Sequence, residues 1–98
     1  MIEYLKDYVM NNQEFEIIKA KLDKNMTLNF SVMKTTVSDN LSYFHELGIT
    51  NLTNIILYRP DLCFKPNRYL KEKFKNWDLE LLKYIIENNV DDLNSCNI

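Results

Sequence analysis

The chain has 98 residues with a formal net charge of −2; 46% are hydrophobic and 27% charged, and there is one glycine and there are two prolines. These proportions belong to a folded chain rather than a disordered one, and the length suits one domain with a modest core. Scarce turn residues argue against sandwiches and barrels, and the negative charge removes any bulk attraction to nucleic acid or anionic membranes.

Residues 2–23 carry helical periodicity. Ile2, Leu5 and Val9 share a face flanked by Tyr4 and Tyr8, and after Asn11-Asn12 the apolar face rotates to Phe15, Ile18 and Leu22. Asn11 followed by Glu14 has the spacing of a capping box, which predicts a break there and two helical pieces. In residues 24–37, Leu28, Phe30 and Val32 alternate with Asn29 and Ser31, and Thr35, Thr36 and Val37 are β-branched. This pattern predicts an extended or irregular connector, or a strand paired with another chain.

From residue 38 the helix signals are regular. Ser38 or Asp39 is the expected cap of a helix carrying Leu41, Phe44 and Leu47, with Gly48 ending it in the left-handed conformation. Thr50 is the expected cap of a helix with Leu52, Ile55 and Ile56 inward, stopped before Pro60. Pro66 suits the first turn of a helix reaching about Lys75. Asn76 is the expected cap of a last helix with Leu81, Leu82, Ile85 and Ile86 on one broad apolar face, ended by Asn88-Asn89. The fold class expected is mainly α: a compact bundle of four to six short helices forming one domain over 1–90, with 91–98 a polar tail that frays.

A weak echo at an offset of 26 to 27 residues relates Tyr43-Phe44-His45-Glu46 to Tyr69-Leu70-Lys71-Glu72, and Leu52–Leu57 to Leu79–Ile85. The run Asn40–Ile49, followed by Ile55-Ile56 and Arg59-Pro60-Asp61-Leu62, resembles one repeat of the mitochondrial transcription termination factor type. That resemblance implies a helix pair with a trailing 3₁₀ turn. In that family such units stack into nucleic-acid-binding solenoids, whereas this chain is acidic, lacks a transit peptide and is too short for a solenoid. The segment Asp78–Asn88 looks like the second helix of an ankyrin repeat, but no Thr-Pro-Leu-His signature precedes it. Neither resemblance carries a function over.

The residue inventory argues against catalysis. His45 is the lone histidine, and its neighbour Glu46 projects about 100° away on a helix, so the two do not make an acid–base pair. Cys63 and Cys96 lack zinc-ligand spacing and read as unpaired thiols in a reducing compartment. The carboxylate pairs Glu14/Glu16 and Asp91/Asp92 offer no divided environments, and one glycine cannot form a phosphate loop. No enzyme activity, metal or cofactor is expected.

The N-terminus has Glu3 among its first residues and no long apolar run, so neither a signal peptide nor a membrane span is expected, and the expected location is cytoplasmic. The Asn-x-Ser/Thr triplets at Asn25, Asn29, Asn40 and Asn51 then read as turn and cap chemistry. Heavy use of Asn, Lys, Ile and Tyr points to an AT-rich source genome, such as a virus, phage or low-GC bacterium.

One cluster stands out: Phe64–Trp77 holds five cations against one anion. On a helix starting near Asn67, Leu70 and Phe74 fall together with Trp77, and Arg68, Lys71 and Lys75 fall on the opposite side. Lys65, Arg68, Tyr69, Lys71 and Lys75 are the candidate binding residues. The expected function is a small non-catalytic protein-interaction module of inhibitor, adaptor or viral effector type, able to form a homo-oligomer; the alternative is a nucleic-acid-binding helical module using the same stripe.

Overall fold

Short polar side chains divide the chain into its helices. In the computed structural model, which describes residues 1–90, 92 and 93, a five-residue 3₁₀ turn, Glu3–Asp7, is followed by α1 (Asn12–Lys21), capped by Asn11 Oδ1 accepting from the Glu14 amide at 2.9 Å. The predicted break at Asn11 is therefore present. The segment before it forms only a 3₁₀ turn, too short to repay nucleation of an α-helix.

Residues 24–37 correct the sequence expectation. They are helical: α2 spans Lys24–Val32 and α3 spans Lys34–Glu46, with Met33 at the corner between them. Asp23 Oδ1 caps α2 by accepting from the Met26 amide at 2.7 Å. The alternation was misleading because Leu28 and Val32 lie four apart and therefore share one helical face. That face is exposed (56% and 74%), while Phe30 turns inward and is fully buried. Ser38 and Asp39 consequently lie inside α3 rather than capping it.

At its other end α3 closes as expected. Gly48 takes φ +89°, its amide donates to His45 O at 2.9 Å, and the Ile49 amide donates to Phe44 O at 3.1 Å. That pair of bonds is a Schellman motif, and both Phe44 and Ile49 are buried beneath it. Helix α4 (Leu52–Tyr58) is capped by Asn51 rather than Thr50. The Thr50 hydroxyl instead donates to Glu87 Oε1 at 3.0 Å. After Pro60 comes the one-turn α5 (Asp61–Phe64), then α6 (Asn67–Phe74) behind Pro66. Helix α7 (Leu79–Asn88) is capped by Asp78, not Asn76, and ends at Asn89 as expected. Its apolar face is narrower than predicted: Leu82 and Ile86 are buried, whereas Leu81 is exposed.

The described residues thus hold seven α-helices and no strand. The chain is mainly α, with more and shorter helices than the four to six expected. Val90 and Leu93 are buried, so the core continues past residue 90. Of the expected fraying tail, residues 91 and 94–98 lie outside the described residues.

Helix α3 is central, packing against α2, α4, α5 and α6. Val37, Leu41 and Phe44 supply its apolar stripe, and aromatic edges extend it from Phe44 to Phe74 (5.9 Å between centroids) and on to Trp77 (6.3 Å). One residue in that stripe is polar. Asn40 is completely buried, and its Nδ2 donates to Cys63 O at 2.8 Å and Lys65 O at 2.7 Å, with Leu62 O at 3.5 Å. Its Oδ1 accepts from Asn67 Nδ2 at 3.0 Å. One amide therefore satisfies the carbonyl end of α5 and holds the start of α6.

Removing that amide leaves buried carbonyls without donors. Asn40→Ala should cost about 3 kcal/mol. Asn40→Asp should cost at least as much despite its similar shape, because it offers an acceptor to acceptors. Chemical denaturation of both variants checks this; an Asn40→Leu variant as stable as wild type would show that packing alone suffices at the site.

Candidate functional site

Helix α6 orients the basic cluster. Its two core positions, Leu70 and Phe74, are buried and Trp77 packs edge-on against Phe74, so the apolar side faces inward as the spacing predicted. Arg68, Lys71, Lys73 and Lys75 are then left exposed, and Lys65 and Tyr69 are half-buried at the flank.

The five predicted residues do not form a single row. Arg68, Lys71 and Lys75 lie along one side of the outer face. Lys65 and Tyr69 lie along the other with Lys73, a residue outside the predicted set whose i+4 spacing from Tyr69 was the available signal. Lys65 Nζ stands 5.1 Å from the Tyr69 ring centroid and Lys73 Nζ 5.6 Å, so the ring has an ammonium from each neighbouring turn. Lys71 Nζ lies 5.7 Å from the ring of Tyr43 on α3, a partner that sequence distance concealed. Burial and the nearby Glu46 carboxylate push the Tyr43 hydroxyl up from its ordinary range. Glu72, between the two rows, pairs with Lys75 at 2.8 Å.

Of the groups considered for chemistry, only His45 and Glu46 border a common cavity. Glu14 accepts a hydrogen bond from the Thr53 hydroxyl, and Glu16 pairs with Lys19 at 3.3 Å. Cys63 is fully buried, and burial pushes its thiol up; Cys96 lies outside the described residues. His45 is exposed at the rim of a cavity of about 470 Å³ shared with Asp7, Tyr8 and Glu46. Of the asparagine triplets, Asn51 is a cap as expected, Asn25 and Asn29 lie within α2, and Asn40 is the buried clamp. No group of three or more His, Cys, Asp or Glu that could hold a metal ion occurs among the described residues. No helix among them is long and apolar enough to cross a membrane.

Just before the basic segment, Arg59 grips Asp61 with two bonds, Nε to Oδ1 and Nη2 to Oδ2, each 2.9 Å. That guanidinium holds the Asp61 carboxyl below its ordinary range. No family model, curated protein or solved structure matches the chain.

Two measurements follow from these placements. In a Cys96→Ser background, Cys63 should resist a thiol reagent in the native protein and react only on unfolding; rapid native labelling would show that the α5 region opens. For Asp61, whose folded pKa is depressed, the stabilisation is present above the unfolded carboxylate range and is lost as pH falls through the lower folded value. Asp61→Asn should therefore lower the melting temperature at neutral pH and flatten its decline below about pH 4. Melting curves across pH read both effects.

Proposed function

We propose that this chain is a small non-catalytic protein-interaction module that presents the outer face of α6 to an acidic surface on a protein partner. The observation that carries the reading is the cationic face itself. Arg68, Lys71 and Lys73 are exposed on α6 with Lys75 at its end and Lys65 before it, and within residues 65–75 there is a single anion, Glu72; Asp39 and Glu46 of α3 border the face at Lys71. In a protein of net charge −2, such segregation gives an oriented positive field, which steers association with an acidic partner and fixes its register. Tyr69 and Tyr43 at the flanks add rigid amphipathic contact area. The non-catalytic part of the reading is supported by how the groups are engaged: Cys63 is sealed, Glu14 is engaged by Thr53, and His45 makes no hydrogen bond to Asp7 or Glu46, the carboxylates that border the same hollow. The proposal places the module in the cytoplasm, or in the host cytoplasm if the source is viral, as a monomer or homodimer.

The same cations also fit the phosphates of a nucleic acid, which is the second reading; net charge weighs against it. The test compares wild type with Arg68→Glu/Lys71→Glu/Lys75→Glu, checked for unchanged helicity by circular dichroism. Affinity capture from the native host should enrich an acidic protein with wild type and lose it with the variant. Equal capture by both would overturn the α6 face as the site. Capture abolished by nuclease, together with oligonucleotide binding that weakens steeply with salt, would transfer the face to the second reading.

A further inference from the structure

The N-terminal turn and the α3–α4 corner border the hollow of about 470 Å³, which is open to solvent on one side. Its walls are mostly apolar: Val9, Met10 and Leu52, with the ring of Tyr8. Tyr8 is fixed in place, since its hydroxyl lies 3.3 Å from Ser42 Oγ and 3.5 Å from Ser38 O on α3. Thr50 on the opposite side is committed to Glu87. The size falls within the roughly 300–1,000 Å³ typical of small-molecule sites.

Charge at this cavity has one sign. Asp7 and Glu46 line it and neither has a hydrogen-bonding or ionic partner among the described residues, and no lysine or arginine is among the lining residues. Lys6, next to Asp7 in sequence, lies over the Phe15 ring at 5.1 Å, and Lys83 pairs with Glu80 at 3.3 Å. Lys71 borders a neighbouring groove with Glu46 but makes no ion pair with it. An apolar hollow bordered by two uncompensated carboxylates rejects anions, gives a neutral apolar molecule only its burial energy, and adds electrostatic attraction for a cation.

We infer that this cavity is a binding site for a small organic cation, an ammonium group carried on an apolar, ring-sized body. The body packs against Tyr8, Val9, Met10 and Leu52, and the ammonium lies between Asp7 and Glu46. His45 at the rim supplies a further polar contact. The inference does not rest on the α6 reading, since no residue of α6 lines the hollow.

Amide chemical-shift titration of the full chain with phenethylamine, 2-phenylethanol and 3-phenylpropionate tests it. The amine should shift Asp7–Met10, Ser42, His45, Glu46 and Leu52 in the millimolar range or below, and should bind about tenfold more tightly than the alcohol, with the acid weakest. Asp7→Asn/Glu46→Gln should erase the preference for the amine while leaving the alcohol unchanged. Met10→Lys, at an exposed position, should place a cation over the cavity and abolish amine binding. Equal affinity for amine and alcohol, an unaltered preference in the double variant, or no localised shifts with a folded spectrum would each overturn the inference.

Discussion

The arrangement of this protein depends on one buried amide. Asn40 sits in the apolar stripe of α3, the helix that touches α2, α4, α5 and α6. A leucine there would fill the space and leave the carbonyls of Cys63 and Lys65 without donors inside the protein. The amide instead converts the end of α5 and the start of α6 into a fixed corner. The consequence reaches the surface. The Lys65 carbonyl is held at 2.7 Å, so the Lys65 side chain starts from a defined point and settles over Tyr69. The geometry of the basic face is thus set from the core outward.

The faint sequence echo has a structural counterpart. Helices α3, α4 and the single turn α5 follow the order helix, helix, turn, and α6, α7 and the turn at Val90 repeat it. Asn51 caps α4 and Asp78, at the echo's offset, caps α7. The Leu62 amide donates to Arg59 O at 3.1 Å, and the Asp92 amide to Asn89 O at 3.0 Å, closing each trailing turn with a buried leucine, Leu62 or Leu93. Two such units bury each other's apolar faces, as neither could alone. The α3–α4–α5 order also agrees with the helix pair and trailing turn implied by the resemblance noted for residues 40–62, although α5 is α-helical rather than 3₁₀.

What could be read in the sequence was what is local. The cap at Asn11, the left-handed stop at Gly48 and the inward set of Leu70 and Phe74 each depend on residues within one or two turns, where spacing carries the physics. The misses came from competition between neighbouring candidates and from tertiary partners. Thr50 and Asn51 are both capable caps, and Thr50 was drawn away by Glu87 on a distant helix. Leu28–Val32 matched a strand period although on a helix only Leu28 and Val32 share a face, with Phe30 on the other side; so short an alternation fits both periods, and the Asp23 cap decides for the helix. Asn40 broke the apolar pattern of α3 because its partners lie 22 to 27 residues away, which no periodicity reports. The α6 site divides in the same way: its exposure was legible from the helix period, but the Lys71–Tyr43 contact was not.

The cations of α6 are held by a means that keeps their charge available. A lysine in a salt bridge shares its field with its partner, as Lys75 does in part with Glu72 in an exposed, solvent-screened pair. Lys65, Lys71 and Lys73 rest instead against tyrosine rings, an attraction of about 0.5–1 kcal/mol at exposed sites. A neutral ring restrains the side chain without cancelling its charge, so part of the ordering entropy that binding would cost is already spent before a partner arrives. The reverse holds at the hollow beside the N-terminal turn. There Lys6 lies over the Phe15 ring, and Asp7 and Glu46 border the hollow without an ion pair among the described residues. The formal charge of −2 thus conceals a segment of the opposite sign, residues 65–75, with five cations against one anion.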